Sequence, residues 1–242
     1  MEKGIKAVVL AAGKGVRMKS ELPKVLHLLA GKPLTEHVIG NLRKSGINDI
    51  ILVIGYKGEE VQKAIGDSVK YVWQHEQLGT GHAVLMADEL LSDFKGNVLV
   101  ACGDAPLISD KSFRLLIEKM KNDDVKASVL TMILDNPHGY GRMIKDNSGN
   151  LVRIVEEKDA TDEERKINEV NTGTYVFDSE ILFDGLKKIG NNNAQKEYYL
   201  PDIIGYIKSL GYKAVTCVLD NPFEGSGINS REELQKIEDL IK

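Results

Sequence analysis

The chain has 242 residues, 42% of them hydrophobic, enough for one large α/β domain or two small ones and too apolar for a disordered chain. Its formal net charge of -4 argues against a general nucleic-acid or membrane-surface binder, since such proteins meet phosphates with a basic excess. No apolar run approaches the roughly 20 residues of a membrane span. Cys102 and Cys217 lack CxxC spacing in a chain without a signal-like N-terminus, which points to a reducing cytoplasm.

In chain order, KAVVLA reads as a buried strand, followed by the Gly-punctuated basic loop LAAGKGVRMKSELPKVL from Leu10 to Leu26. A helix is predicted over PLTEHVIGNLRKSG, with Leu34, Val38 and Leu42 on one face, Pro33 at its first position and Gly46 at its stop. The strand DIILVIG, a helix from Glu59 to Ile65 and the strand KYVW continue a βαβα rhythm. A third helix is expected from about Thr80 to Leu91, turning Ala83, Met86, Ala87 and Leu90 inward. The strands AVVLA, IILVI and NVLVA are near-continuously apolar, as parallel strands covered by helices on both faces are.

After NVLVACGD the rhythm changes: KASVLTMIL, GRMIKDNSGNLVRIVEE and EVNTGTYVFD read as strands joined by turns, with Gly149 in the hairpin turn DNSGN. KDATDEERKINE reads as a solvated loop or short helix whose charges need no chemical role. ILFDGLKKI, EYYLPDIIGYIKSL, the strand KAVTCVL and a terminal helix SREELQKIEDLIK complete the chain. With no internal repeat or linker, a single domain over residues 1–242 is expected, an α/β fold with a mostly parallel sheet between helices.

The loop Leu10–Leu26 fits neither phosphate-binding fingerprint: Val16 and Arg17 follow Gly15 where a Walker loop needs Lys-Ser/Thr, and Met18 stands where a dinucleotide loop needs its third glycine. Yet it follows the first strand of a parallel sheet, where ligands gather. Gly13 and Gly15 let backbone N–H groups approach an anion, while Lys14, Arg17 and Lys24 bring charge. The plain alternative is a solvated loop with incidental basic residues. VLVACGDAP ends a buried strand in Asp104, placed to hold a divalent metal on substrate phosphates or to cap the helix near Ser109, a task Ser109 and Asp110 can perform themselves. In WQHEQLGTGHA, glycines open a helix behind Gln74, whose amide offers the donor and acceptor that a uracil or guanine edge requires; glycine-rich helix starts are also common for their own sake. The five histidines show no metal-ligand spacing and read as surface or packing residues.

LAAGKGVRMKSELPKVLHLLAGKPL, followed in order by QLGTGHA, GDAPLI, GYGRM, IVEEKDAT, EVNTGTY, NNNAQKEYYLPDII and GINSR, closely resembles the sugar-1-phosphate nucleotidyltransferases. Within them it is most similar to the uridylyltransferase part of the bacterial bifunctional N-acetylglucosamine-1-phosphate enzymes. The resemblance covers nearly the whole chain. It implies a Rossmann-like core, residues 1–110 mainly for nucleotide, and a β-rich elaboration, residues 125–229 mainly for sugar. It also implies Mg²⁺-dependent joining of UTP to N-acetylglucosamine 1-phosphate with release of pyrophosphate.

By the same resemblance, Leu10, Ala11, Ala12, Gly13, Gly15, Cys102 and Gly103 line the nucleotide and Arg17 and Lys24 contact phosphates as the catalytic pair. Gln74, Gly79 and Thr80 read the base, Asp104 and Asn229 hold Mg²⁺, and Gly141, Glu156 and Asn171 receive the sugar. Val16 stands where a hydroxyl residue is usual, Cys102 where Tyr is usual and Pro201 where Thr is usual. The chain carries no hexapeptide-repeat β-helix, so neither the acetyl transfer nor the trimer of the bifunctional enzymes is expected. Three other readings stand beside this one: transfer from another nucleotide or to another acceptor, such as dTTP with glucose 1-phosphate or guanylyl transfer to a pterin cofactor; a non-catalytic nucleotide-sugar sensor; and, weakest, a dehydrogenase. The sequence fixes no oligomeric state.

Overall fold

The computed structural model describes residues 4–241. β1 (Ile5–Ala11) is followed by the basic loop with its two short 3-10 turns, a small ribbon of β2 (Leu28–Leu29) and β3 (Lys32–Pro33), and α1 (Leu34–Lys44). Next come β4 (Ile50–Ile54), α2 (Gly58–Ile65), β5 (Lys70–Trp73), α3 (Thr80–Leu85), α4 (Asp88–Leu91), β6 (Asn97–Cys102) and α5 (Asp110–Lys119). The second half holds β7 (Val125–Ile133), β8 (Arg142–Lys145), β9 (Leu151–Val155), β10 (Glu169–Asp178), α6 (Ser179–Leu186), α7 (Ile203–Ser209), β11 (Lys213–Val218) and α8 (Arg231–Ile241).

Nine strands form one sheet in the order β5-β4-β1-β6-β10-β7-β11-β9-β8. β5, β4, β1 and β6 are mutually parallel, whereas β10 runs antiparallel between β6 and β7. The apolar strands are buried on both faces because alternate residues feed two cores. Ala7, Val9, Ile50, Leu52 and Ile54 enter one, Val8, Ile51 and Val53 the other. A third, smaller cluster of Leu29, Leu34, Ile228 and Ile237 docks α8 against the start of α1. No helix of the described residues is long and apolar enough to cross a membrane.

Several expectations change in detail. Pro33 lies one residue ahead of α1, paired with Leu28 in the ribbon, because its ψ of 142° is extended rather than helical. Leu34, Val38 and Leu42 do face the core, and Gly46, at φ +99°, ends the helix. The third helix breaks after Leu85 and resumes at Asp88. Its buried stripe is Ala83, Val84, Ala87 and Leu91, while Leu90 faces solvent. Adjacent leucines let either stripe satisfy helical spacing, so pattern alone could not choose between them. In KDATDEERKINE only Glu164–Lys166 forms a 3-10 turn, and its charges pair with neighbours: Arg165 with Asp162 at 2.9 Å, Lys166 with Glu163 at 2.7 Å, and Glu164 with Arg153.

Candidate active site

The strand order reverses between β1 and β6. From β1 the chain moves outward to β4 and then β5, while β6 lies on its other side, which opens a crevice beyond the carboxyl ends of both strands. Leu10 and Cys102 are register partners at this point. A cavity of about 250 Å³ sits there, walled by Leu10–Gly13 at and just past the end of β1, Cys102 and Asp104 at and just past the end of β6, Lys24 from the loop, and Gln74, Gly79 and Thr80 from beyond β5.

Three of the glycines at this site have a local reason, whereas a Cβ on Gly13 would meet nothing within 4 Å. Gly79 adopts φ +111°, and a Cβ on it would fall 2.6 Å from the Tyr198 carbonyl oxygen. Gly15, at φ +62°, would bring a Cβ within 2.5 Å of the Lys24 Cβ, so its bareness lets the Lys24 stem lie against the loop. Gly103 supports rather than lines the cavity: its N–H donates to the Leu10 carbonyl at 2.9 Å and its carbonyl accepts from Thr35 at 3.0 Å. Gln74 is 3% exposed; its amide nitrogen donates to the Gly79 carbonyl at 3.0 Å and lies 3.1 Å from His82 Nδ1. His82 therefore has a supporting role that its spacing in the sequence did not reveal.

At the mouth of the cavity, groups from opposite ends of the chain meet. The Lys24 ammonium forms an ion pair with Asp104 and donates to Asn229 Oδ1 at 2.9 Å; Arg17 donates to the same oxygen at 2.8 Å. The Ile228 N–H donates to the Asp104 carbonyl at 2.9 Å, fastening the C-terminal segment beside β6. Asp104 is not spent as a helix cap, because the Ser109 hydroxyl caps α5 by accepting from the Ser112 N–H. Asp104 and Asn229 thus aim a carboxylate and an amide oxygen at one cationic point, filled by the Lys24 ammonium. This hard-oxygen pair fits a divalent cation such as Mg²⁺, which completes its shell with phosphate and water oxygens. Among the described residues no group of three or more His, Cys, Asp or Glu could hold a metal alone.

The neighbouring cavity, about 230 Å³, shares Leu10, Thr80, Cys102 and Asp104 with the first. Its far wall is built by register. Arg142 pairs with Val155 of β9 and Val170 of β10, and both pairings are antiparallel. One step along the three strands, Gly141, Glu156 and Asn171 therefore form the next row, and a Cβ on Gly141 would lie 3.2 Å from Glu156 Oε1 and 3.5 Å from Asn171 Cβ. β10 bulges between Asn171 and Tyr175, with Gly173 at φ +77°. The bulge lets Asn171 accept from the Gly173 N–H at 3.0 Å and donate to the Tyr175 hydroxyl at 2.6 Å.

Burial is the largest influence raising the Glu156 carboxyl above the ordinary glutamate value, followed by the nearby charges of Asp202, Asp159 and Glu197. Burial likewise pushes the Cys102 thiol up to about 12 and raises the Tyr175 phenol. Tyr140, Thr172, Tyr175 and Gly225 also line this wall and were not singled out from sequence. Tyr140 lies within the GYGRM motif, and Thr172 and Tyr175 within EVNTGTY, which was the available signal; Gly225 carried none.

Residues 6–222 match the Nucleotidyl transferase family. The chain is 51% identical over 237 residues to the bifunctional protein GlmU of Clostridium novyi and 47% identical over 236 residues to that of an Exiguobacterium species, covering 98% of this chain in both cases. It spans about half the length of these curated relatives, 52%. Among solved structures, a Bacillus anthracis protein named as a glucose-1-phosphate thymidylyltransferase, crystallised in complex with a sucrose, shares the fold. Its TM-score is 0.76 at 21% identity, over 98% of this chain and 95% of the other. With a reversal crevice at the ends of β1 and β6, two adjoining cavities and cationic and acidic groups at their junction, this chain belongs to the nucleotidyl transferase family.

Proposed function

We propose that the protein is a Mg²⁺-dependent uridylyltransferase that makes UDP-N-acetylglucosamine and pyrophosphate from UTP and N-acetylglucosamine 1-phosphate. The observation that carries this reading is the shared wall of the two cavities, with Lys24, Arg17, Asp104 and Asn229 gathered at their junction. A nucleotide in the first cavity and a sugar phosphate in the second would bring an attacking oxygen to the α-phosphorus. The new P–O bond forms as the bond to the β-phosphate breaks, and pyrophosphate leaves with the electron pair.

No protein nucleophile is required, so the task is positioning and charge stabilisation. Lys24 and Arg17 exchange Asn229 for phosphate oxygens and offset charge on the departing pyrophosphate. Asp104 and Asn229 are the pair suited to Mg²⁺, which when bound supplies positive charge to the α-phosphate. Leu10–Gly13 line the nucleoside, with Gly15, Cys102 and Gly103 supporting that wall. The Gln74 nitrogen is engaged by the Gly79 carbonyl, which leaves its amide oxygen to accept from the uracil N–H. Glu156 accepts from a sugar hydroxyl, Asn171 serves the acetamido group, and Gly141 keeps the space between them open.

In this reading residues 1–110 serve mainly the nucleotide and 125–229 mainly the sugar within one domain. The partners are small molecules, not nucleic acid or membrane, and the reduced Cys102 and Cys217 suit the cytoplasm. Pyrophosphate release across a matrix of nucleotides and sugar phosphates tests it. UTP with N-acetylglucosamine 1-phosphate is expected to be the fastest pair. Faster turnover with dTTP and glucose 1-phosphate would reassign base and sugar, and binding of the product without any turnover would make the protein a sensor.

A further inference from the structure

Among the described residues Arg142 is the largest fully buried side chain, 1% exposed, yet it points away from the row that faces the sugar-side cavity. A charge this deep must be fully hydrogen-bonded or it destabilises the fold. Its guanidinium donates to the Tyr140 carbonyl, to Glu157 Oε2 at 2.7 Å, and through both Nε and Nη2 to the Arg165 carbonyl at 3.4 Å. Glu157 Oε2 also accepts from the Gly139 N–H at 3.2 Å. One planar cation therefore ties together the 139–141 turn, the end of β9 and the 157–165 loop.

These attachments flank the cavity wall at every strand. Arg142 follows Gly141, Glu157 follows Glu156, and Val170, the register partner of Arg142, precedes Asn171. The Gly141 carbonyl itself accepts from the Asn171 N–H at 2.9 Å. Arg142 is also the cation that draws the Glu156 carboxyl back down, against burial and the charges of Asp202, Asp159 and Glu197. Well-packed apolar residues commonly replace a buried ion pair without loss of stability. What an apolar side chain cannot supply is the three-way fork that fixes the loop geometry.

We propose that Arg142, clamped to Glu157, is a positioning residue that holds the row Gly141–Glu156–Asn171 from behind and so sets affinity for the sugar phosphate without touching it. The proposal rests on the reading of this cavity as the sugar-phosphate site. Its consequence is selective: the nucleotide cavity, walled by β1, β6 and the loop after β5, does not depend on the clamp.

The test is steady-state kinetics of Arg142→Met, Arg142→Lys and Glu157→Gln with the sugar phosphate that the wild type turns over fastest, alongside calorimetric titration with UTP. Arg142→Met is expected to raise KM for the sugar phosphate about 10-fold or more, with UTP affinity within about 2-fold and kcat at saturation within about 3-fold. Arg142→Lys keeps the charge but loses the fork, and recovers part of the affinity. Glu157→Gln, at a less buried position, is expected to raise the same KM about 3-fold and carries the test if Arg142→Met does not fold. A folded Arg142→Met with unchanged sugar-phosphate KM, a parallel loss for both substrates, or a Glu157→Gln without effect overturns the proposal. If the wild type prefers another sugar phosphate, the substrate assignment fails while this test still runs with that compound.

Discussion

Lys24→Met removes the cation on which Asp104 and Asn229 converge, and the structure predicts different outcomes for stability and for turnover. The Lys24 and Asp104 side chains are each 17% exposed, between a surface pair and a buried one. Surface pairs contribute about 0–1 kcal/mol, and removing one partner of a buried pair costs about 3–5 kcal/mol, so about 2 kcal/mol is expected for Lys24→Met. Most of that cost is a carboxylate left without its partner. Asp104→Asn should cost about 1 kcal/mol, because the flexible Lys24 stem still reaches Asn229 or water. The double variant leaves neither charge stranded, and its cost should fall short of the summed single costs by about 1–2 kcal/mol. Urea unfolding in metal-free buffer measures these terms. Pyrophosphate release on the same proteins is expected to fall about 10²–10³-fold in Lys24→Met and to stay low in the double variant. Strictly additive stabilities would mean that the pair contributes nothing, and turnover within about 3-fold of wild type would remove Lys24 from the catalytic groups.

Three further perturbations probe the walls of the two cavities. Because burial, then Asp202, Asp159 and Glu197, hold the Glu156 carboxyl above its ordinary 4.5, the carboxylate proposed to accept a sugar hydroxyl forms only as pH climbs through that raised value. Sugar-phosphate 1/KM should therefore rise with pH along an acid limb that Glu156→Gln flattens. By linkage the folded wild type holds this proton more tightly than the unfolded chain, so it should lose stability relative to Glu156→Gln as pH rises from 4.5 through the folded value; melts showing the opposite trend would contradict the burial argument. Gly79→Ala forces a methyl to within 2.6 Å of the Tyr198 carbonyl at φ +111° and should cost about 1–3 kcal/mol while weakening UTP binding, measured by thermal melts and calorimetry. Cys102, its thiol pushed up to about 12, should resist iodoacetamide at neutral pH, and rapid inactivation traced to this residue would refute that protonation state.

How much of this was legible in the sequence depends on what fixed each residue. The apolar strands were clear because nearly every position is buried, and the residues from Leu10 to Gly13, Gln74, Thr80 and Asp104 fell into one cavity because strand ends in a parallel sheet must converge. Gly141, Glu156 and Asn171 were legible through family resemblance alone, since their contact follows from antiparallel registers that no local pattern encodes. Arg142 was missed for the same reason: a charged residue near the start of a polar hairpin reads as exposed until its partners, 15 and 23 positions later, fold over it. The break after Leu85 and the displaced Pro33 belong to the limits of periodicity at element ends.

Lys24 and Asn229 are separated by 205 positions, and the sheet needs none of the chain beyond Val218. Pairing of all nine strands therefore does not require the segment carrying Asn229, which supplies the second oxygen of the junction, to be docked. On the proposed role of Asn229, activity depends on the seating of the 228–237 segment through Ile228 and Ile237 against Leu29 and Leu34, and not on the β-structure alone. In a refolding experiment that follows strand signal and turnover together, a lag of catalysis behind strand signal would report the docking of this segment onto the finished sheet.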